Sequence, residues 1–171
     1  MRWASSSRKT AALLAAFFVF GLQSCAWGLE RKPQVLPLDP EPLVISTAAG
    51  QKSYLIEVAD IDAERAIGLM NRKSLGPRQG MLFDFGVTRM VNMWMKDTDV
   101  PLDMIFIKED GSIESIRENT VPQSLDLVGS RDEVRFALEL AAGSAKQDGL
   151  QIGDVASHRI ILAAFQKNDG Q

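Results

Sequence analysis

Cysteine and histidine are nearly missing from this chain, with one of each in 171 residues. A single cysteine excludes an intrachain disulfide framework, and a single histidine excludes any site built from several imidazoles. Positive charge is not in excess either: 19 Lys and Arg face 22 Asp and Glu, a net charge of −3. That balance speaks against a nucleic-acid binder working by phosphate neutralisation. No Ser-x-x-Lys, Gly-x-Ser-x-Gly, His-Glu-x-x-His or phosphate-loop pattern occurs, and there is no internal repeat. The apolar share of 46% and charged share of 24% are those of an ordinary globular protein. The length fits one domain.

Charge is unevenly distributed along the chain. Arg2, Arg8 and Lys9 are followed by a strongly apolar run at residues 11–20, with no acid before residue 29. A basic start, a short apolar stretch and small residues after it describe an export signal over residues 1–28. Two ways of processing it stay open. Ala26 and Gly28 occupy the small-residue positions for cleavage before Leu29, whereas Leu22, Gln23 and Ser24 before Cys25 resemble a lipobox, making Cys25 a candidate lipid-attachment site. An uncleaved anchor is the third alternative, although the apolar part is only about half a usual membrane span. The expected location is the periplasm or cell envelope, with any membrane attachment made through this segment. Without residues 1–28 the remaining 143 carry 16 basic against 22 acidic residues, a net charge of −6.

Pro33, Pro37, Pro40 and Pro42 make residues 29–42 read as an extended tether. A single domain is expected over 43–165, followed by a polar tail at 166–171. Within the domain, period-two alternation predicts strands near 52–59, 81–85, 90–96, 102–108, 112–118, 134–140 and 155–162. Asp110-Gly111 marks a hairpin. Ala63, Ala66, Ile67 and Met70 form one apolar face of a helix with Asp60 at its start and Asn71 near its end. Ser144 to Asp148 is a helical turn closed by Gly149. The expected class is mainly β with some α: a compact β-sandwich or distorted barrel of about eight or nine short strands with one main helix.

The most informative segment runs from Met93 to Ile107. On a strand, Asn92, Trp94 and Lys96 share one face and Met93 and Met95 the other. Pro101 stiffens the following loop and Asp103 opens the next strand, so Lys96 and Asp103 are expected to flank that loop closely enough to pair. Trp94, Lys96 and Asp103 would then suit a polar ligand such as a sugar or peptide. The alternative is a core tryptophan beside a surface ion pair. Arg65 and Arg72, seven apart, are expected on one helix face, where with Glu64 they form either an anion groove or a solvated face. Met93-x-Met95 admits Cu(I) binding as well as ordinary core filling. His158 is expected as a strand residue satisfied by a neighbour.

The run Glu64-Arg65-xx-Gly68-Leu69-Met70-x-Arg72, then Gly80-Met81-Leu82-Phe83-x-Phe85, then Trp94-Met95-Lys96-x-Thr98-xx-Pro101-Leu102-Asp103, resembles the domain of unknown function 192 family. Leu138-Glu139-Leu140-xx-Gly143 and Ile152-Gly153-Asp154 continue the likeness, which spans about residues 45–162. Met93 departs from it, standing where an aromatic is usual, and so does Asp97, where Asn is usual. The resemblance implies a compact β-rich fold and no particular reaction. It also places Glu64, Arg65 and Arg72 at motif positions. Together these observations lead us to expect an exported, monomeric accessory protein, without a cofactor, that binds a polar ligand or an envelope partner. An envelope hydrolase using Asp103 and Glu64, or a Met-rich copper protein, are the alternatives.

Overall fold

The chain divides into two units, Met1–Glu30 and Arg31–Gln171. The computed structural model describes residues 32–169; residues 1–28, where an export signal was expected, with Cys25 among them, and residues 170–171 lie outside them. Among the described residues, nine strands and three short helices form a curled half-barrel. In chain order they are β1 (Leu43–Thr47), β2 (Gly50–Ala59), α1 (Asp62–Ile67), β3 (Gln79–Arg89), β4 (Asn92–Met93) and β5 (Leu102–Ile107). Then come β6 (Ile113–Arg117), β7 (Val128–Gly129), β8 (Val134–Ala141), α2 (Ser144–Asp148), β9 (Val155–Ser157) and α3 (Arg159–Asp169).

Seven strands make one sheet in the order β6-β5-β8-β3-β2-β1-β9, and β4 and β7 form a separate two-stranded ribbon. All pairings in the large sheet are antiparallel except β2 with β3, whose connection carries α1. Both faces of this sheet are covered. One holds a core around Leu43, Ile56, Leu82, Ile105 and Leu138. The other is packed by Met81, Phe83, Met104, Phe106 and Ala137. Strand β8, between β5 and β3, is therefore buried on both sides, so odd and even positions alike leave water.

Three expectations change at the element level. The main-helix face of Ala63, Ala66, Ile67 and Met70 is shorter than expected: α1 ends at Ile67 and buries no residue. Gly68 stops it, with φ of 50°, and a Cβ there would sit 3.0 Å from the Phe83 ring. Only glycine fits that turn comfortably. The cap is Ile61 rather than Asp60, without a side-chain hydrogen bond. The expected last strand splits into β9 and α3, the longest helix, with His158 between them. His158 does find neighbours: its Nδ1 accepts the Ile160 N–H at 3.4 Å, and its Nε2 lies 3.3 Å from the Glu41 carbonyl. Ile161 and Ala164, three apart, seat α3 on the first core, and α3 carries the helix through residues 166–169, where a polar tail was expected.

The proline-rich stretch is also tied down from residue 34 onward. The Asp39 N–H donates to the Ile56 carbonyl at 2.7 Å, and Leu38 bridges Glu57. The Leu36 N–H donates to the Glu57 carboxylate at 2.7 Å. These bonds give an otherwise extended segment fixed partners along β2.

Candidate functional site

The apolar stripe of α1 is not buried because it forms the wall of an open cleft. Ala66 and Ile67, with Met70 just beyond the helix, line it together with Phe83 and Phe85 of β3, Met93 of the ribbon, Trp94 just after it, and Leu127. The cleft encloses about 480 Å³, within the usual range for a small-molecule site. A break in the β3–β8 ladder shapes it. Asp84 pairs with Phe136 and Arg89 with Val134, so β3 spends five residues where β8 spends two. The extra residues bulge outward at Gly86, whose φ is 76°, and return Arg89 to the rim.

At the cleft wall stands Glu139. It lies in β8 directly between Met81 of β3 and Met104 of β5 in register. Such partners point to one face with Cβ atoms about 5 Å apart, so thioethers flank the carboxyl on both sides. Glu139 is 4% exposed and lines the cleft. It has no hydrogen-bond or ion-pair partner among the described residues. Burial pushes its carboxyl up to about 8, because the carboxylate loses much of its hydration at the cleft wall without gaining a cation. Gly80, opposite Leu140, permits the close strand approach: a Cβ there would fall 2.6 Å from the Glu139 carbonyl oxygen.

Two of the six expected site residues line this cleft. Trp94 is 47% exposed at its edge, with the Lys96 ammonium 5.4 Å from the ring centroid. Arg65 also lines it, although its guanidinium is engaged: it donates to the Asp84 carbonyl at 2.6 Å, to the Asp62 carboxylate at 2.6 Å and to the Asp60 carbonyl. Arg65 thereby fastens α1 to the middle of β3, at Asp84 where the ladder with β8 breaks.

The other expected residues go elsewhere. Arg72 lies beyond α1, so it does not share a helix face with Arg65. It grips Glu57 with both terminal nitrogens, at 2.6 and 2.5 Å, and donates Nε–H to the Gln34 carbonyl at 3.0 Å. Asp103 is fully buried and accepts the backbone N–H groups of Asn119 and Ala145, each at 2.9 Å. It anchors the start of α2, and no ion pair joins it to Lys96 among the described residues. Glu64 lines a smaller cavity of about 340 Å³ with Leu36, Asp39 and Arg159. Asp103 and Glu64 therefore do not share a cleft. Met93 lines the main cleft, but Met95 is buried, its sulfur 3.1 Å from the Thr120 hydroxyl. Among the described residues no group of three or more His, Cys, Asp or Glu is placed to hold a metal ion.

The family profile of DUF192, described as Uncharacterized ACR, matches residues 44–158. The chain belongs to the DUF192 family. A crystal structure of a provisionally named transcription regulator from Sinorhizobium meliloti 1021 is 43% identical, with a TM-score of 0.69 over 72% of this chain and 97% of that one. A protein of unknown function from Novosphingobium aromaticivorans DSM 12444 is 30% identical, with a TM-score of 0.69 over 75% and 94% of the respective chains. No curated protein matches.

In this DUF192 protein, several segments that carried the family likeness converge on one place. Arg65, Gly68 and Met70, then Phe83 and Phe85, then Trp94 and Thr98, then Glu139 all line the main cleft. Glu139 itself was missed as a site residue. In the sequence it alternates with Leu138 and Leu140 and reads as solvent-facing, next to Arg135 and Ala137 on the same side. Arg135 keeps that promise only through pairing, to Asp84 at 3.2 Å and Glu109 at 2.8 Å. The available signal was position: an acid in a strand bounded by apolar partners on both sides.

Proposed function

We propose that this protein is an exported binding protein whose main cleft takes a small molecule with an apolar body and a polar end. The observation that carries this reading is Glu139: a carboxyl without a protein partner among the described residues, on a residue only 4% exposed, that meets the wall of an open apolar cleft. Leaving such a group unpaired costs stability, and a fold tolerates that cost where the group has work to do. The basic, then apolar, first twenty residues support export. Processing at Cys25 would leave the domain lipid-anchored, and processing before Leu29 would release it.

The ligand is met by aromatic and thioether surface along the cleft, with Trp94 at its edge. A thermal-shift and ligand-observed NMR screen of small polar organic compounds, glycan fragments and short peptides tests this. Hits are expected to weaken at least about tenfold in Trp94→Ala and in Glu139→Leu. Hits that bind both variants as well as the parent would contradict it. The charge balance of this chain, with no excess of positive charge, does not favour the nucleic-acid role that the transcription-regulator name of the Sinorhizobium relative suggests. Nothing in the separate placement of Asp103 and Glu64 supports the hydrolase alternative.

A second reading has one observation in its favour. The Met81, Glu139, Met104 row, with Met70 and Met93 in the same cleft, sets thioethers around a carboxyl. That is a donor set for a soft monovalent cation such as Cu(I). Failure to draw Cu(I) from a competing chelator would remove it.

A further inference from the structure

We propose that the ligand of this cleft is an elongated organic anion: its acid group meets Arg89 at the mouth, and a hydroxyl or carbonyl at its other end meets Glu139. This deepens the binding reading and rests on it.

The charged residues that line the cleft are Asp62, Arg65, Arg89 and Glu139. Asp62 and Arg65 cancel, being paired at 2.6 Å. Arg89 is exposed and has no carboxylate partner among the described residues; its guanidinium lies 5.0 Å from the Phe85 ring centroid. Stacking orients the guanidinium and leaves its in-plane N–H donors open to a carboxylate or phosphate. Just outside, Lys96 rides on Trp94, also without a carboxylate partner among the described residues. The mouth therefore presents unneutralised positive charge.

The inner end has the opposite need. Burial among apolar neighbours favours the protonated form of the Glu139 carboxyl, and in that form it offers the cleft one donor and one acceptor. A hydroxyl or carbonyl satisfies it without creating a buried charge, whereas a ligand carboxylate would have to leave water with no cation beside it. The elements packed around Glu139 supply no cation at close range. Its register partners Met81 and Met104 are uncharged, and Asp103 on β5 spends both oxygens on backbone N–H groups. Between the two ends, Leu69, Met70, Phe83 and Met93 give an apolar passage.

The ladder sets the length. Arg89 pairs with Val134, five residues along β8 from Glu139, so their Cα atoms are separated by about 17 Å along the strand. Arginine and glutamate side chains close only part of that distance. A ligand touching both must therefore be extended, with its polar groups at opposite ends.

Calorimetry on the protein as processed by the cell separates the possibilities. The probes are ω-hydroxycarboxylates of about six to ten carbons, with amino alcohols and simple carboxylates of equal length as comparators. One hydroxycarboxylate is expected to bind at least about tenfold more tightly than its amino alcohol. Arg89→Ala should erase that preference, and Glu139→Leu should erase the preference for the hydroxylated over the simple carboxylate. Amino alcohols binding as tightly as hydroxycarboxylates, or an unchanged preference in Arg89→Ala, would overturn the anion assignment while leaving a binding cleft in place. Absence of binding by every probe, together with an unchanged thermal-shift screen in Glu139→Leu, would overturn the binding reading as well.

Discussion

Replacing Glu139 by glutamine is the perturbation that speaks most plainly about this fold. The carboxyl is held at about 8 in the folded protein, against an ordinary value near 4.5. In the unfolded chain it ionises as pH passes 4.5; in the folded chain it keeps its proton until about 8. Between those limits the native state binds more protons than the unfolded state, so this group's contribution to stability falls as pH rises. The loss runs at about 1.4 kcal/mol per pH unit and totals about 4 to 5 kcal/mol across the window. Glutamine has nearly the same shape and does not titrate. The stability difference between Glu139→Gln and the parent should therefore climb with pH from 4.5 to 8 and stay level outside that range. Taking the difference removes every other titrating group, provided their environments are unchanged. Urea denaturation at half-unit pH intervals measures it directly. A flat difference between pH 5 and pH 8 would refute the reasoning, because it would mean Glu139 is solvated or paired with a cation.

Three further substitutions test the supports of the cleft. Arg72→Met strands the Glu57 carboxylate, 5% exposed, without its guanidinium; a loss of about 3 to 5 kcal/mol in chemical denaturation is expected, and easier proteolysis near residues 34–38 should accompany it. Asp103→Asn leaves one of the two backbone donors facing an amide NH₂ instead of an oxygen. The expected cost is about 2 to 3 kcal/mol, with faster amide exchange at Ala145 than in the parent; unchanged exchange would show that α2 does not depend on this carboxylate. Gly80→Ala drives a methyl against the Glu139 carbonyl, and overpacking against backbone should lower stability by about 3 kcal/mol or more, read as a drop in Tm.

Much of the scaffold was legible because strands announce themselves by alternation and turns by glycine. The β5–β6 hairpin follows from Asp110-Gly111, and α2 from Ser144 and Gly149, whose φ of 68° closes it. What alternation hides is which strands are covered twice. Val134, Phe136, Leu138 and Leu140 point one way by pattern, and nothing local says that Ala137 and Glu139 are also roofed over. Burial of Glu139 depends on Met81 and Met104, far away in sequence. The same limit applies to α1, whose stripe was correctly apolar but opens into a cleft instead of packing a core. The run Ile160, Ile161, Leu162 suits a strand by composition; tertiary packing of Ile161 and Ala164 makes it a helix. Arg72 and Asp103 drew attention for their chemistry and turn out to spend it on the fold.

The role proposed for Glu139 rests on the state of its carboxyl. Its carbon-13 resonance, followed by NMR as pH is raised with Glu139→Gln as the assignment control, reports that state without a ligand or a stability model. The account expects a midpoint near 8. A midpoint close to the ordinary value of a solvated glutamate would contradict it.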